Sequence, residues 1–111
     1  MSGDYEPTSI VKLKEKLADP SVQKALKGFS KTVQFSLTDL KQDYFFRIDD
    51  GKLASLEKKK EANANIVVTI EDSLMVSIMN GTASPITEYM KGRLKIKGQI
   101  DDLLRLQKLM S

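Results

Sequence analysis

The chain has 111 residues, of which 41% are hydrophobic and 30% are charged, and its formal net charge is +3. This length and composition are typical of one globular domain and exclude a disordered or collagen-like chain. The sequence has no cysteine and no histidine, which excludes disulfides, thiolate nucleophiles, and the commonest general base and transition-metal ligand. The route to catalysis that remains open is carboxylates, lysine or tyrosine, as in a hydrolase-like enzyme that uses carboxylates. We expect a single domain over residues 1–111 with no catalytic residues, no metal site and no cofactor.

The sequence also bears on where the protein acts. No apolar run is long enough to span a bilayer, and residues 1–6 lack the basic and apolar segments of a signal peptide. The last three residues, Leu109, Met110 and Ser111, do not resemble a peroxisomal Ser-Lys-Leu address. With the absence of cysteine, these features lead us to expect a cytoplasmic protein.

Two short helices are predicted at the start of the chain. The first begins at Thr8 or Ser9 and ends before Pro20, and its apolar stripe consists of Ile10, Leu13 and Leu17. Asp19 is the expected N-cap of a second helix that begins at Pro20 and stops at Gly28. The residues expected on its buried side are Val22, Ala25 and Leu26.

The period then changes from helical to alternating. Strands are predicted around Val33–Phe35–Leu37 and Tyr44–Phe46–Ile48, followed by a tight hairpin turn at Asp50-Gly51 and a weaker strand over 52–57. A polar loop over 58–65 leads to the most apolar strand, 66–70, which we expect to be central in the sheet.

The last third is divided by glycines. Asp72 or Ser73 is expected to cap a helix that ends at Gly81, and Ser84 a second one that ends at Gly92. The residues expected to be buried in this second helix are Ile86, Tyr89 and Met90. Residues 93–97 alternate as an edge strand, and a terminal helix begins near Asp101.

The predicted order is α-α-β-β-β-β-α-α-β-α. Because the apolar residues of each strand lie on one side, the helices should cover one face of the sheet. We predict an α+β fold with a five-stranded mixed sheet and helices packed on one face.

The chain resembles the sterol carrier protein-2 family of lipid-transfer domains, most clearly over residues 65–110. The resemblance is carried by the strand 66–70 with Asp72 after it, by the glycines at 81, 92 and 98, by Pro85 and by the amphipathic last helix. It implies a hydrophobic tunnel between helices and sheet. It also implies a sterol, fatty acid, phospholipid or fatty acyl-CoA as the ligand class.

Eleven residues are expected to line this tunnel: Val33, Phe35, Phe46, Met75, Ile78, Met79, Ile86, Met90, Leu103, Leu106 and Met110. The methionines favour a site that adapts to ligands of different shape. The alternative is that their flexible thioether side chains fill gaps in the hydrophobic core. We expect the ligand to enter under the terminal helix, beside the two short helices.

The terminal helix supports this expectation. Ile100, Leu103, Leu104, Leu106 and Met110 span an arc of roughly 160°, wider than the roughly 100° that packing on a sheet needs, and Leu109 falls outside the arc. The surplus favours a ligand, a partner subunit or a membrane. Ordinary packing between neighbouring helices explains it as well.

A basic cluster consists of Lys91, Arg93, Lys95 and Lys97. Charge on an edge strand commonly prevents aggregation, and transient contact with an anionic membrane surface is the functional alternative. Nucleic-acid binding is not expected, because no aromatic residue lies among these cations to stack on bases.

Two adjacent carboxylate pairs begin at Asp49 and Asp101, where a turn and a helix start favour aspartate for local reasons. We therefore predict a non-catalytic lipid carrier, and the alternative is a structural or regulatory protein-interaction module with a filled core.

Phe45 and Val67 on the outward face of the sheet lead us to expect a monomer or a weak homodimer.

Overall fold

The computed structural model describes residues 6–110, except for the side chains of Lys108 and Met110. Its elements in chain order are α1 (Thr8–Ala18), α2 (Pro20–Ala25), β1 (Lys31–Leu37), β2 (Gln42–Asp49), β3 (Lys52–Glu57), β4 (Ile66–Ile70), α3 (Asp72–Met79), α4 (Pro85–Met90), β5 (Lys95–Lys97) and α5 (Ile100–Met110). This is the order that the sequence predicts.

The five strands form one mixed sheet in the order β3-β2-β1-β4-β5. β1 pairs antiparallel with β2 and parallel with β4, and β5 is antiparallel to β4 at the edge. The predicted α+β fold is confirmed. β4 is an interior strand, but the middle position belongs to β1.

The core lies on one face of the sheet, where inward residues of alternating strands meet the helices. Its sheet side is formed by Val33, Phe35, Leu37, Tyr44, Phe46, Ile48, Ile66, Val68 and Ile70. The apolar stripe of α1 (Ile10, Leu13 and Leu17) is buried against it, as predicted. Ala25 is exposed, contrary to prediction, because the short helix α2 buries none of its residues fully and contacts the core only through the half-buried Val22 and the following Leu26.

The turn between β2 and β3 fits tightly under the end of α2. Asp50 and Gly51 have φ values of 51° and 79°, which is the primed turn that the sequence predicts. A Cβ on Gly51 would lie 2.7 Å from the carbonyl oxygen of Gln23 and 2.9 Å from that of Leu26. The backbone of α2 therefore rests directly on this turn.

The helix caps agree with the sequence in two of three cases. The carboxylate of Asp19 accepts the Ser21 amide at 2.9 Å, and the hydroxyl of Ser84 accepts the Thr87 amide at 3.4 Å. Neither Asp72 nor Ser73, however, is the N-cap of α3, which is Glu71. Asp39 from the β1–β2 turn accepts the Asp72 amide at 2.8 Å, which frees the Asp72 carboxylate to accept the amide of Ser9 at 3.1 Å in α1.

The other face of the sheet is partly covered by the loop over 58–65, which must cross it to bring the chain from β3 to β4. Gln34 of β1, only 2% exposed, donates to the Lys59 carbonyl at 3.1 Å and accepts the Glu61 amide. Phe45 is 4% exposed, because the cations of Lys59 and Arg47 lie 5.1 and 5.9 Å from its ring centroid. Phe45 is therefore not the exposed residue on which the expectation of a weak homodimer was based.

Candidate functional site: an apolar groove beside the terminal helix

An apolar groove of about 380 Å³ lies between α4, the β5 edge and α5. One of its ten lining residues is a polar residue, Gln107, and none is charged. The others are Pro85, Ile86, Tyr89, Leu94, Ile96, Ile100, Leu103, Leu104 and Leu106. Several of these side chains are more than half exposed, so the groove is open to solvent along one side.

The chain between α4 and β5 turns sharply at the floor of the groove. The amides of Arg93 and Leu94 both donate to the carbonyl oxygen of Glu88, at 2.9 and 3.2 Å. These two residues therefore do not join the sheet, and β5 begins at Lys95 rather than at the predicted Arg93. Leu94 is buried, and Ile96 lies on the core side of β5 opposite Val68.

One ion pair anchors α4 at the groove. Glu88 is the buried residue of this short helix, and its Oε1 lies 3.2 Å from Nη1 of Arg93. The two groups are close enough to balance charge, although their alignment is not that of a hydrogen bond. A paired carboxylate thus faces the protein and the apolar side chains of α4 face outward.

The terminal helix α5 is held by both apolar and polar contacts. Leu106 and Leu109 are at most 1% exposed. Arg105 donates to the Lys27 carbonyl at 2.6 Å, and the Asp102 carboxylate lies 3.6 Å from the ammonium of Lys31.

Leu109, which the sequence places outside the apolar arc, is therefore part of the packed face. The predicted surplus lies on the other edge of the helix, where Ile100 and Leu104 are 74% and 61% exposed.

The structure brings three of the eleven predicted site residues to the groove: Ile86, Leu103 and Leu106. Five others, Val33, Phe35, Phe46, Met75 and Ile78, are at most 3% exposed within the core cluster. They belong to the core between the sheet and the helices and do not line the groove.

The remaining three predicted residues are methionines. Met79 lines a separate shallow depression among charged residues of α1. Met90 is 80% exposed and does not line the groove, and the side chain of Met110 lies outside the described part of the structure. Burial of Ile86, Tyr89 and Met90 was predicted wrongly, because α4 has two turns at most and no described element covers its outer side.

Sequence reasoning also missed four important wall residues. Ile100 and Leu104 belong to the apolar arc of α5, and Ile96 to the Lys–Ile alternation of β5, so each was visible as an apolar position. Leu94 was visible only as part of a longer strand. The sequence signal that would have selected them is that α5 and the neighbouring β5 segment both carry more apolar residues than packing on the core requires.

The arrangement suits apolar binding more than catalysis. Within the described residues, no group of three aspartates or glutamates could hold a metal ion. The first carboxylate pair is engaged in hydrogen bonds: Asp49 accepts the Ser30 hydroxyl at 3.1 Å, and Asp50 accepts the Gly28 amide at 2.7 Å. In the second pair, Asp102 forms the ion pair with Lys31. No helix of the described chain has the length and apolar character needed to cross a membrane.

The chain matches the model of a known family, the SCP-2 sterol transfer family, over residues 10–111. A comparison with curated protein sequences finds no match.

Two solved structures share the fold over almost the full length. Palmitated SCP2L2 from Aedes aegypti has a TM-score of 0.70 and 18% identity, covering 99% of this chain and 95% of its own. The apo form of sterol carrier protein 2 from Yarrowia lipolytica has a TM-score of 0.65 and 19% identity, with the same coverage of 99% and 95%.

A third similar structure is a much larger enzyme. The inverting sec-alkylsulfatase Pisa1 from Pseudomonas sp. has a TM-score of 0.67 and 19% identity, and the match covers 79% of this chain but only 13% of the sulfatase. At these identities the three structures show a common fold.

Proposed function

Because the chain belongs to the SCP-2 sterol transfer family, we propose that it binds one lipid molecule in the apolar groove and carries it without catalysing a reaction. The observation that carries this proposal is the groove itself, with nine apolar residues and one polar residue in its wall. Transfer of an acyl chain from water into such a wall is favourable by roughly 0.8 kcal/mol for each buried CH₂.

The size of the groove favours a slender ligand. Its volume of about 380 Å³ is near the lower end of the roughly 300–1,000 Å³ typical of small-molecule sites. Among the ligand classes expected from the sequence, a fatty acid or the chain of a fatty acyl-CoA fits this volume better than a two-chain phospholipid. The mosquito structure, described as palmitated, supports the same class.

Broad specificity follows from the same physics. One methylene changes the binding free energy by roughly 0.8 kcal/mol, which is about fourfold in affinity. No charged side chain lines the groove to select a head group. We therefore propose that chain length is distinguished weakly, and that Ile86, Leu103 and Leu106 contact the ligand.

The absence of catalysis is part of this proposal. It is supported by the lack of histidine and cysteine in the sequence and by the local hydrogen bonds of Asp49 and Asp50. The cytoplasm, as a reducing compartment, agrees with a chain without cysteine and is the location that we propose.

Binding of a fluorescent fatty acid tests the groove. Leu104 is 61% exposed and lines the wall, so Leu104→Asp should leave the fold intact and lower affinity by about tenfold or more, because a charge meets the acyl chain. Leu40→Asp is the matched control, since Leu40 is 43% exposed and lies outside the groove. Equal affinities of the two variants would overturn the assignment of the groove.

Native mass spectrometry of freshly purified protein separates the carrier from the alternative of a filled interaction module. A co-purified lipid supports the carrier. A second protein chain without lipid would favour the module, for which the complete burial of Val33, Phe35 and Met75 is the supporting observation.

A further inference from the structure

Exposed apolar side chains are concentrated on one side of the molecule. In the described part of the chain, seven large apolar residues are exposed, and Val11 and Leu40 are the two that lie apart. The other five are Ile86, Tyr89, Met90, Ile100 and Leu104, which are between 57% and 80% exposed. We refer to these five residues, on α4 and α5, as the α4–α5 patch.

A ligand in the groove does not account for the whole patch. Four of its members line the groove, but Met90, the most exposed at 80%, does not. Contiguous exposed apolar surface of this kind marks interaction sites on soluble domains. The patch therefore presents more apolar surface than the bound lipid would cover.

The charges around the patch are mainly positive. Between residues 85 and 107 the sequence has five basic and three acidic residues. Two of the acidic residues are neutralised, Glu88 by Arg93 at 3.2 Å and Asp102 by Lys31 at 3.6 Å.

Three lysines around the patch have no acidic partner among the described residues. Lys91, Lys95 and Lys97 are all exposed, and no carboxylate of the described residues forms an ion pair with them. Lys91 directly follows Met90. Lys95 and Lys97 flank Ile96, which lines the groove, and because side chains alternate along a strand, the two lysines project from the other face of this sheet edge.

We propose that the α4–α5 patch docks on an anionic membrane surface. Met90 and Ile100 enter the interfacial region, Tyr89 lies at the level of the head groups, and Lys91 contacts anionic phosphates or carboxylates. Lys95 and Lys97, at the adjacent sheet edge, add longer-range attraction to the anionic surface. Arg93 contributes little, because it is already paired with Glu88. In this orientation the open side of the groove faces the bilayer, so a lipid reaches it without crossing bulk water.

The surface and the ligand site are tested separately, because Met90 belongs to the patch and not to the groove. Sedimentation with vesicles of phosphatidylcholine, with and without phosphatidylserine, measures docking of the unmodified chain and of Met90→Asp. Partition onto the phosphatidylserine vesicles should fall by about tenfold or more in Met90→Asp, while affinity for a fluorescent fatty acid in vesicle-free solution is unchanged. Leu40→Asp, with the same change of charge, should retain both activities.

A pair of double variants tests the cations at constant net charge. Lys95→Glu with Lys97→Glu should lower partition onto phosphatidylserine vesicles by about 30-fold or more, because each lysine near an anionic surface contributes about 1 kcal/mol, or about fivefold. Lys12→Glu with Lys24→Glu, at a half-buried position of α1 and an exposed position of α2, changes the net charge equally and should cost much less.

Three results would overturn the proposal. The first is equal partition onto both kinds of vesicle, and the second is an equal loss in the Lys12 and Lys24 control. The third is a combination of two observations: the unmodified chain does not bind vesicles, and it forms a dimer in sedimentation equilibrium that Met90→Asp dissociates. This combination would show that the patch binds a second copy of the chain. Failure of fatty-acid binding in all variants, with docking intact, would contradict the proposed function and leave this surface standing.

Discussion

Gly51 is the residue at which both conformation and space exclude a side chain. Its φ of 79° lies in the left-handed region, and a Cβ would meet two carbonyl oxygens of α2 at under 3.0 Å. Gly81 has a similar φ of 81°, but a Cβ there would have open space around it. Alanine at Gly81 therefore adds only the conformational cost of a positive φ, whereas alanine at Gly51 adds this cost and a steric clash.

We expect Gly81→Ala to lower the free energy of unfolding by about 1–2 kcal/mol, the cost of the left-handed conformation alone. Gly51→Ala should lower it by about 3 kcal/mol, since the backbone of α2 must also move. Urea denaturation measures both values. Equal losses at the two glycines would show that α2 does not rest on the turn.

Asp19 gives the first turn of α2 a pH dependence. The backbone amide and the hydroxyl of Ser21, together with the nearby charge of Lys16, hold the pKa of the Asp19 carboxyl below its usual value of 3.8. A carboxyl whose pKa is lowered by folding stabilises the fold above its unfolded pKa and loses this contribution as pH falls through its folded pKa.

Asp19→Ala should therefore be less stable than the unmodified chain at pH 7, and the difference should shrink below about pH 4. Asp19→Asn is the control, because an asparagine caps the helix without titrating. Thermal unfolding over this pH range provides the measurement, and a difference that does not depend on pH would show that the carboxylate charge is not involved.

At the scale of the elements, the loop over 58–65 depends on one buried side chain. Gln34 binds the Lys59 carbonyl and the Glu61 amide from below, and it also donates to the Tyr44 carbonyl at 3.3 Å. An amide group placed on the outward face of β1 thus serves as the anchor of a segment that carries three consecutive lysines.

Gln34→Ala leaves these loop groups without a partner and should lower the free energy of unfolding by about 1–3 kcal/mol. It should also speed tryptic cleavage after residues 58–60, because the released loop becomes a substrate. Ser36 lies on the same strand as Gln34 and donates to Asp43 of β2. Ser36→Ala, which removes this hydrogen bond, is the control and should leave cleavage of the loop unchanged. Unaltered cleavage in Gln34→Ala would show that the loop is held by other contacts.

Arg105 connects the terminal helix to the segment between α2 and β1. Its guanidinium donates to the Lys27 carbonyl and lies 5.9 Å from the ring centroid of Phe29. If lipid enters under α5, as the sequence leads us to expect, release of this contact should make the helix open more often.

Arg105→Ala should therefore increase hydrogen exchange of the α5 amides and the dissociation rate of a fluorescent fatty acid, with exchange in β1 and β4 unchanged. Arg47→Ala is a matched control, because Arg47 lies at the same 5.9 Å from an aromatic ring on the opposite face of the sheet. Faster exchange of α5 without faster dissociation would place the path of the ligand elsewhere.

Considered as a whole molecule, the protein shows how far local patterns reach. Alternation and helical period predicted every element and its order, because each is an amphipathic segment bounded by glycine, proline or an aspartate cap. What they did not predict is how neighbouring elements share surface. Ile86 and Met90 were expected to be buried, yet no described element covers them.

The same contrast, between the pattern of one element and the surface shared by two, applies to the residues of the groove. Leu103, Leu104 and Leu106 all belong to the wide apolar arc of α5, but only Leu103 and Leu106 were predicted as site residues. Ile96 acquires its role because the edge of β5 lines the same groove as α5. The predicted methionines Met75 and Met79 lie in the core and in a separate depression. Their adaptable side chains fit core packing as well as a site, and sequence alone does not distinguish the two.

Ligand binding should be visible in the stability of the whole domain. A fatty acid at about 100 times its dissociation constant stabilises the folded state by about 2.7 kcal/mol, which raises the Tm of a domain of this size by roughly 10 °C. Differential scanning calorimetry measures the shift, and Leu104→Asp should show a much smaller one. A short-chain acid such as butyrate is the control, and an equal shift with butyrate would point to a general salt effect.

The groove has one further property. All of its wall residues fall between Pro85 and Gln107, whereas the sheet on which these elements pack is complete, except for the three residues of β5, before residue 71. Scaffold and pocket therefore come largely from different stretches of the chain. Half of the wall positions, namely Ile86, Tyr89, Ile100, Leu104 and Gln107, are exposed and contribute little to the core. Such a division permits the preferred ligand to diverge through changes in one short contiguous segment, while the hydrogen-bonded framework beneath it is inherited intact.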